Sequence, residues 1–129
     1  MPYTILGDLQ TLELGETVQC NNPCCILTLD CQVMILDVME VTNLSPESVI
    51  FKLPESMTPT DQIIIPVYVE NSNGINLTPL YINTNGTATM RVQLSNSVLY
   101  TNGIIFNCAD KYYNGEIGNN FSQGTSPLR

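Results

Sequence analysis

Apolar residues along the chain recur with period two or fall in short solid runs, and they do not follow the 3.6-residue period of a helix. Across residues 32–41, Val33, Ile35 and Met39 alternate with Met34, Leu36 and Val38. This stretch predicts one strand buried on both faces. Val49–Lys52 predicts a short strand that stops at Leu53-Pro54. Ile63-Ile64-Ile65 runs through Pro66 into Val67-Tyr68-Val69. Pro66 has no N–H for a ladder, so it is expected at a bulge or on an edge strand. The clearest local signal spans Leu80 to Val92, where Asn85-Gly86 separates two alternating segments. Both turn residues tolerate positive φ, which predicts a tight hairpin. Leu80 and Ile82 are expected to face the core from one arm, and Ala88, Met90 and Val92 from the other. A last strand is expected over Gly103–Cys108.

Turn signals punctuate the chain at Asn43–Pro46, Pro54–Pro59, Asn71–Gly74 and Asn102-Gly103. Strands of this length with turns this frequent predict an all-β fold, an antiparallel β-sandwich that is jelly-roll-like, with extended terminal segments. Residues 1–47 are expected to supply N-terminal strands and a Cys-rich attachment segment of the same domain. Residues 48–108 form the sandwich module, and residues 109–129 an extended C-terminal tail. That tail is rich in Gly, Asn and Ser, with Phe121 and Leu128 its only large apolar side chains after Ile117. Fixing each residue costs about 1–2 kcal/mol in backbone entropy, more than this composition recovers alone. The tail either packs across its own domain or lies in a groove of a neighbouring copy or another protein of the assembly; the second is expected, with Phe121 and Leu128 as anchors.

Composition sharpens the picture. The 129 residues are one domain's worth of chain. Charged residues make up only 12%, about half the usual share. Asn, Thr, Ser and Gln take their place, which suits strands and turns better than surface helices. The net charge is −8, and the four basic residues, Lys52, Arg91, Lys111 and Arg129, are scattered. Nucleic-acid binding needs clustered cations and is not expected. The same charge disfavours an anionic membrane surface. No apolar run approaches the roughly 20 residues of a membrane span. Met1-Pro2 leads into no basic or apolar leader, so no export signal is expected.

Candidate chemistry is sparse. The chain has no histidine, so Ser-His-Asp and Cys-His catalysis are excluded. Most of the twelve acids stand alone in turn-like positions, which reads as solvated carboxylates, not a catalytic pair. No phosphate-binding or calcium loop is present. The chain is not expected to be an enzyme, and no cofactor is expected. Cys20, Cys24, Cys25 and Cys31 fall close together, with Cys108 far away. Their spacing fits zinc poorly, because adjacent Cys24 and Cys25 diverge on a strand. Buried thiols are the plain reading, with disulfides and metal as alternatives. Tyr112-Tyr113 follows the last strand in a polar setting and is a candidate partner-binding pair, or a lid on the end of the sandwich. Tyr68 and Tyr100 are further candidates for stacking on a glycan.

One stretch resembles a known family. It comprises Val49–Pro54, Pro59, Ile63–Val67, the hairpin from Leu80 to Met90 with its Ile82-Asn83-Thr84-Asn85-Gly86 core, Val98-Leu99 and Gly103–Phe106. This pattern resembles the β-sandwich modules of tail fibres, head fibres and baseplate receptor-binding proteins of tailed bacteriophages. It covers about half the chain, residues 48–107. The chain departs from it at Val98-Leu99-Tyr100, where the family often has an aromatic, and in its Cys-rich first 47 residues. The resemblance implies a non-enzymatic virion protein, made in the bacterial host cytoplasm and acting as a homotrimer with other virion proteins. Fibre tip, capsid decoration and collar or tail fitting all remain open places for it. The alternative is a module that binds a host receptor or carbohydrate.

Overall fold

A computed structural model of the chain describes residues 8–108. Its order is β1 (Asp8–Thr11), β2 (Glu13–Leu14), β3 (Val18–Gln19), β4 (Cys24–Leu27), β5 (Gln32–Ile35), β6 (Met39–Leu44) and β7 (Val49–Lys52). After a single 3-10 turn at Glu55–Met57 come β8 (Ile63–Asn71), β9 (Gly74–Ile82), β10 (Thr87–Thr89), β11 (Leu94–Leu99) and β12 (Ile105–Asn107). No α-helix occurs among the described residues. The expected all-β sandwich is the fold observed. The tail with Tyr112, Tyr113, Phe121 and Leu128 lies outside the described residues.

A four-stranded sheet runs β1-β4-β5-β12, and an eight-stranded sheet runs β2-β7-β10-β9-β8-β11-β6-β3. Every pairing is antiparallel. The larger sheet curls until it is nearly closed. Its two edge strands, β2 and β3, are joined by residues 15–17. That connection crosses the seam by donating Gly15 N–H to Ile50 O at 2.9 Å and accepting Thr42 N–H on Thr17 O at 3.1 Å. The approach is so close that a Cβ on Gly15 would lie 2.1 Å from Val49 O.

Period-two burial explains which face each strand turns inward. Cys25 and Leu27 of β4 and Val33 and Ile35 of β5 are buried, as are Val67 and Val69, Leu80 and Ile82 of the larger sheet. In β7 the adjacent Ile50 and Phe51 are both buried, where the pairing with β10 shifts register. Together they make one continuous core between the sheets.

The structure corrects four local expectations. Residues 32–41 are not one strand: β5 belongs to the smaller sheet and β6 to the larger. The chain changes sheets at Asp37. Its carboxylate accepts N–H groups from Asn22 (3.0 Å) and Val38 (2.8 Å), and its carbonyl accepts the Thr101 hydroxyl (2.7 Å). A turn whose backbone groups are satisfied by one side chain can interrupt a strand inside an apolar run.

The hairpin at Asn85-Gly86 forms, but with a longer loop than a two-residue turn. Gly86 N–H bonds to Asn83 O at 2.8 Å, and Asn83 N–H to Thr87 O at 2.9 Å. Gly86 alone of the pair has positive φ, at 91°. This is a type I turn closed by a left-handed glycine. The Asn85 carboxamide oxygen accepts the Thr87 N–H (3.1 Å) and hydroxyl (2.7 Å), which suits Asn85 to a turn without positive φ.

Val92, expected in the core, is 40% exposed. Strand β10 ends at Thr89, so the alternation does not carry on to it. Pro66, expected at a bulge or edge, lies within an interior strand of the larger sheet. It is tolerated there because β11 pairs with β8 only at Val69 and Glu70, leaving the flank at Pro66 open.

Candidate interaction surface

Strands β8 and β9 pair without interruption from Ile63↔Ile82 to Asn71↔Gly74. Their neighbours in the sheet cover only the ends: β11 reaches Val69 and Glu70, and β10 reaches Tyr81 and Ile82. The middle is therefore a two-stranded ribbon. Its inner face carries Val67, Val69, Leu80 and Ile82 into the core. Its outer face carries the directly opposed pairs Ile64↔Tyr81, Pro66↔Pro79, Tyr68↔Leu77 and Glu70↔Ile75. Ile64, Tyr68, Ile75 and Leu77 are 56–58% exposed, and both prolines are exposed as well. A run of opposed apolar pairs turned to solvent is the kind of contiguous patch that marks a contact surface.

Tyr68 and Tyr100, both candidates from the sequence, meet at this surface. Tyr100 N–H bonds to Tyr68 O at 2.9 Å. The Tyr100 hydroxyl donates to the Glu70 carboxylate, and that bond holds the phenol above its ordinary pKa. At the other end of the stripe the Arg91 guanidinium lies 4.0 Å from the centre of the Tyr81 ring, a cation–π contact. Arg91 Nε also lies 3.4 Å from Glu47 Oε2. Ile64, Ile75 and Leu77 were not candidates from the sequence. The apolar run of β8 around Ile64 fits a doubly buried strand equally well, and Ile75 and Leu77 stand in β9 next to Asn76 and Thr78, where nothing local marks them as a surface.

A concavity sits at the seam of the larger sheet. It holds about 670 Å³ and is lined by Glu13, Glu16, Thr17, Ser45, Ser48 and Lys52, among others. A groove of about 520 Å³ adjoins it and shares Glu13 and Lys52, which face each other across β2 and β7. Its further lining includes Glu55, Thr84 and Asn85. These side chains offer hydroxyl, amide and carboxylate partners without an aromatic platform.

The cysteines are dispersed over the smaller sheet and its approaches. Cys25 is fully buried, while Cys20, Cys24, Cys31 and Cys108 are partly buried, so only Cys25 is a core residue in full. Cys24 and Cys25 diverge across β4 as adjacent strand residues must. Burial pushes the Cys25 thiol up to about 11. Cys108 extends the β5–β12 ladder by one pair, its N–H bonding to Cys31 O at 3.0 Å. Among the described residues no three His, Cys, Asp or Glu side chains are grouped to hold a metal.

Fold and surface together define a β-sandwich domain with an apolar ribbon turned outward. Among solved structures the chain is similar to the receptor binding protein of Listeria phage PSA, with a TM-score of 0.60 over 83% of this chain and 69% of that one. The two are 14% identical, so the likeness is one of fold. No protein-family model matches the chain, and no curated protein does.

Proposed function

We propose that the chain is a non-enzymatic structural protein of a bacteriophage virion, a fibre, decoration or tail and collar component that works through protein–protein contacts. The observation that carries this reading is the exposed ribbon face on a fold shared with a phage receptor binding protein. An apolar stripe of this kind serves contact with protein and offers nothing to a reaction. The chain would be made in the host cytoplasm and built into the particle beside further copies of itself, three by the family resemblance, and other virion proteins. Mass spectrometry of purified particles tests the reading. The chain is expected among the proteins that stay with the particles through a density gradient, and its absence would sink the proposal.

A second reading, a module that binds a host receptor or glycan, is favoured by the polar grooves that meet at Glu13 and Lys52. Binding of labelled protein to host cells, lost in Lys52→Ala and kept in Leu77→Glu, would favour this second reading over the first.

A further inference from the structure

We propose that Cys31 and Cys108 are a disulfide-forming pair, which closes on exposure to an oxidant and ties the end of β12 to the β4–β5 hairpin. The occasion for closure rests on the virion reading, since a chain made in a reducing cytoplasm and carried out in a particle passes into oxidising surroundings. The pairing itself rests on the geometry of the smaller sheet.

Register places the two thiols together. Strand β12 runs antiparallel to β5, with Phe106 opposite Val33 and Asn107 opposite Gln32. The next pair is Cys108 with Cys31, where the Cys108 N–H bonds to Cys31 O at 3.0 Å. The Cys108 sulfur also comes to 3.3 Å from that oxygen. A hydrogen-bonded antiparallel pair sets its Cα atoms about 5.5 Å apart, inside the range of about 4.4–6.8 Å that a disulfide spans. Both residues are thiols in the structure and both are partly buried, so a small oxidant can reach them.

Cys31 also stands where a glycine is expected. In the β4–β5 loop, Thr28 N–H bonds to Gln32 O at 2.8 Å and Cys31 N–H to Thr28 O at 3.2 Å. The β9–β10 loop repeats this pattern with Asn83, Gly86 and Thr87. The closing residue is left-handed in both, with a φ of 91° at Gly86 and 62° at Cys31. Glycine takes that conformation without a steric cost, and a residue with a Cβ does not. Strain kept at a position where glycine would remove it points to a role for the side chain.

The other cysteines have no such partner position. Cys25 is fully buried and donates toward the Met57 sulfur at 3.5 Å. Cys24, next to it on β4, turns to the opposite face. Cys20 follows β3, which pairs with β6, a strand without cysteine. With oxidised glutathione as the oxidant, the thiolate of one cysteine of the pair attacks a glutathione sulfur. A mixed disulfide forms, and one glutathione leaves as its thiolate. The second cysteine thiolate then attacks the protein sulfur of that mixed disulfide, closing the Cys31–Cys108 bond and releasing the second glutathione. The two thiol protons pass to the two leaving thiolates. The protein is oxidised by two electrons and the glutathione disulfide is reduced by two. The bond joins residues 77 apart in the chain, so it restricts the unfolded state strongly.

Peptide mass spectrometry tests the proposal on the purified full chain, reduced, freed of reductant, treated with oxidised glutathione and then blocked by alkylation. A peptide linked through Cys31 and Cys108 is expected, and it should vanish on reduction. Oxidation should also raise Tm by about 5 °C or more, because the link closes a long loop. Cys108→Ser should lose the link and the rise in Tm together. Cys31→Gly should lose both as well, yet stay folded with a Tm close to that of the reduced parent, because glycine accepts the left-handed turn. Glutathione adducts without a link overturn the proposal, as does a link between other cysteines or a link that leaves Tm unchanged. If the link forms in the purified chain but the chain is absent from purified particles, the pair stands and the virion reading falls. If the chain is found in particles with both thiols still reduced after treatment with oxidised glutathione, the pair falls and the virion reading stands.

Discussion

Pro66 stands directly opposite Pro79 across the β8–β9 ribbon. The register makes this possible. At that pair each backbone nitrogen points away from the partner strand, so two prolines face each other without removing a bond between β8 and β9. The bonds they remove belong to the flanks, which β11 and β10 leave open. Two prolines that would disrupt a central strand here act as guards on an exposed edge.

Replacing both guards should therefore expose that role. Pro66→Thr with Pro79→Thr should leave the fold intact, with a stability change within about 1 kcal/mol, because neither nitrogen bonds within the ribbon. The double variant should aggregate faster on mild heating, by light scattering, since both flanks regain donors. Equal aggregation rates in variant and parent would show that the prolines do not protect the edges.

Two glycines are required for different reasons. Gly86 has a φ of 91°, and a Cβ there would lie 2.9 Å from Thr58 Cγ2. Gly86→Val should cost about 1–3 kcal/mol, from left-handed strain and crowding together. Gly15→Ala should cost a comparable amount, about 1–3 kcal/mol, through overpacking at the seam alone. Chemical denaturation of both variants measures these losses. A neutral Gly86→Val would mean that the loop rearranges freely, and a neutral Gly15→Ala that the seam connection is not held closely.

Much of this architecture was legible in the sequence. Strand β7 has the boundaries its apolar run predicts, and the turn residues at Asn85-Gly86 mark the hairpin. These features are local: period two and turn chemistry depend on neighbouring residues. What the sequence hid is tertiary. Asp37 reads as one polar residue within an apolar run, and only its partners Asn22 and Thr101, far along the chain, make it a corner. The ribbon face was hidden for a similar reason. Ile63-Ile64-Ile65 looks the same whether a second layer covers Ile64 or solvent does, and only the short reach of β10 and β11 decides it. Tyr68 was legible as a candidate, but not its apolar company.

The corner at Asp37 is itself testable. Asp37→Ala leaves the N–H groups of Asn22 and Val38 without their carboxylate acceptor. The expected loss is about 1–3 kcal/mol, since bonds to a charged group exceed neutral ones. Asp37→Asn should recover part of it, because the carboxamide oxygen can still accept. Equal stability of the parent and Asp37→Ala in urea titration would remove the carboxylate from the account of the sheet change.

The buried thiol of Cys25 sets an alkaline limit on the fold. Burial raises its pKa from 9.0 to about 11, with the neighbouring Cys24 adding to the shift. Burial also raises Cys20. The unfolded thiol ionises first as pH rises, so the folded state holds more protons between the two pKa values. Stability is then fully present below about pH 9 and falls as pH rises through about 11, with a slope of up to about 1.4 kcal/mol per pH unit for one thiol. Cys25 also donates toward the Met57 sulfur at 3.5 Å, so the proton serves a contact inside the core. Thermal melting from pH 8 to 11 should show Tm falling in the parent. Cys25→Ala should start from a lower Tm, because it leaves a cavity, but decline less steeply, because the titrating group is gone. Parallel declines in parent and variant would assign the alkaline loss to other groups.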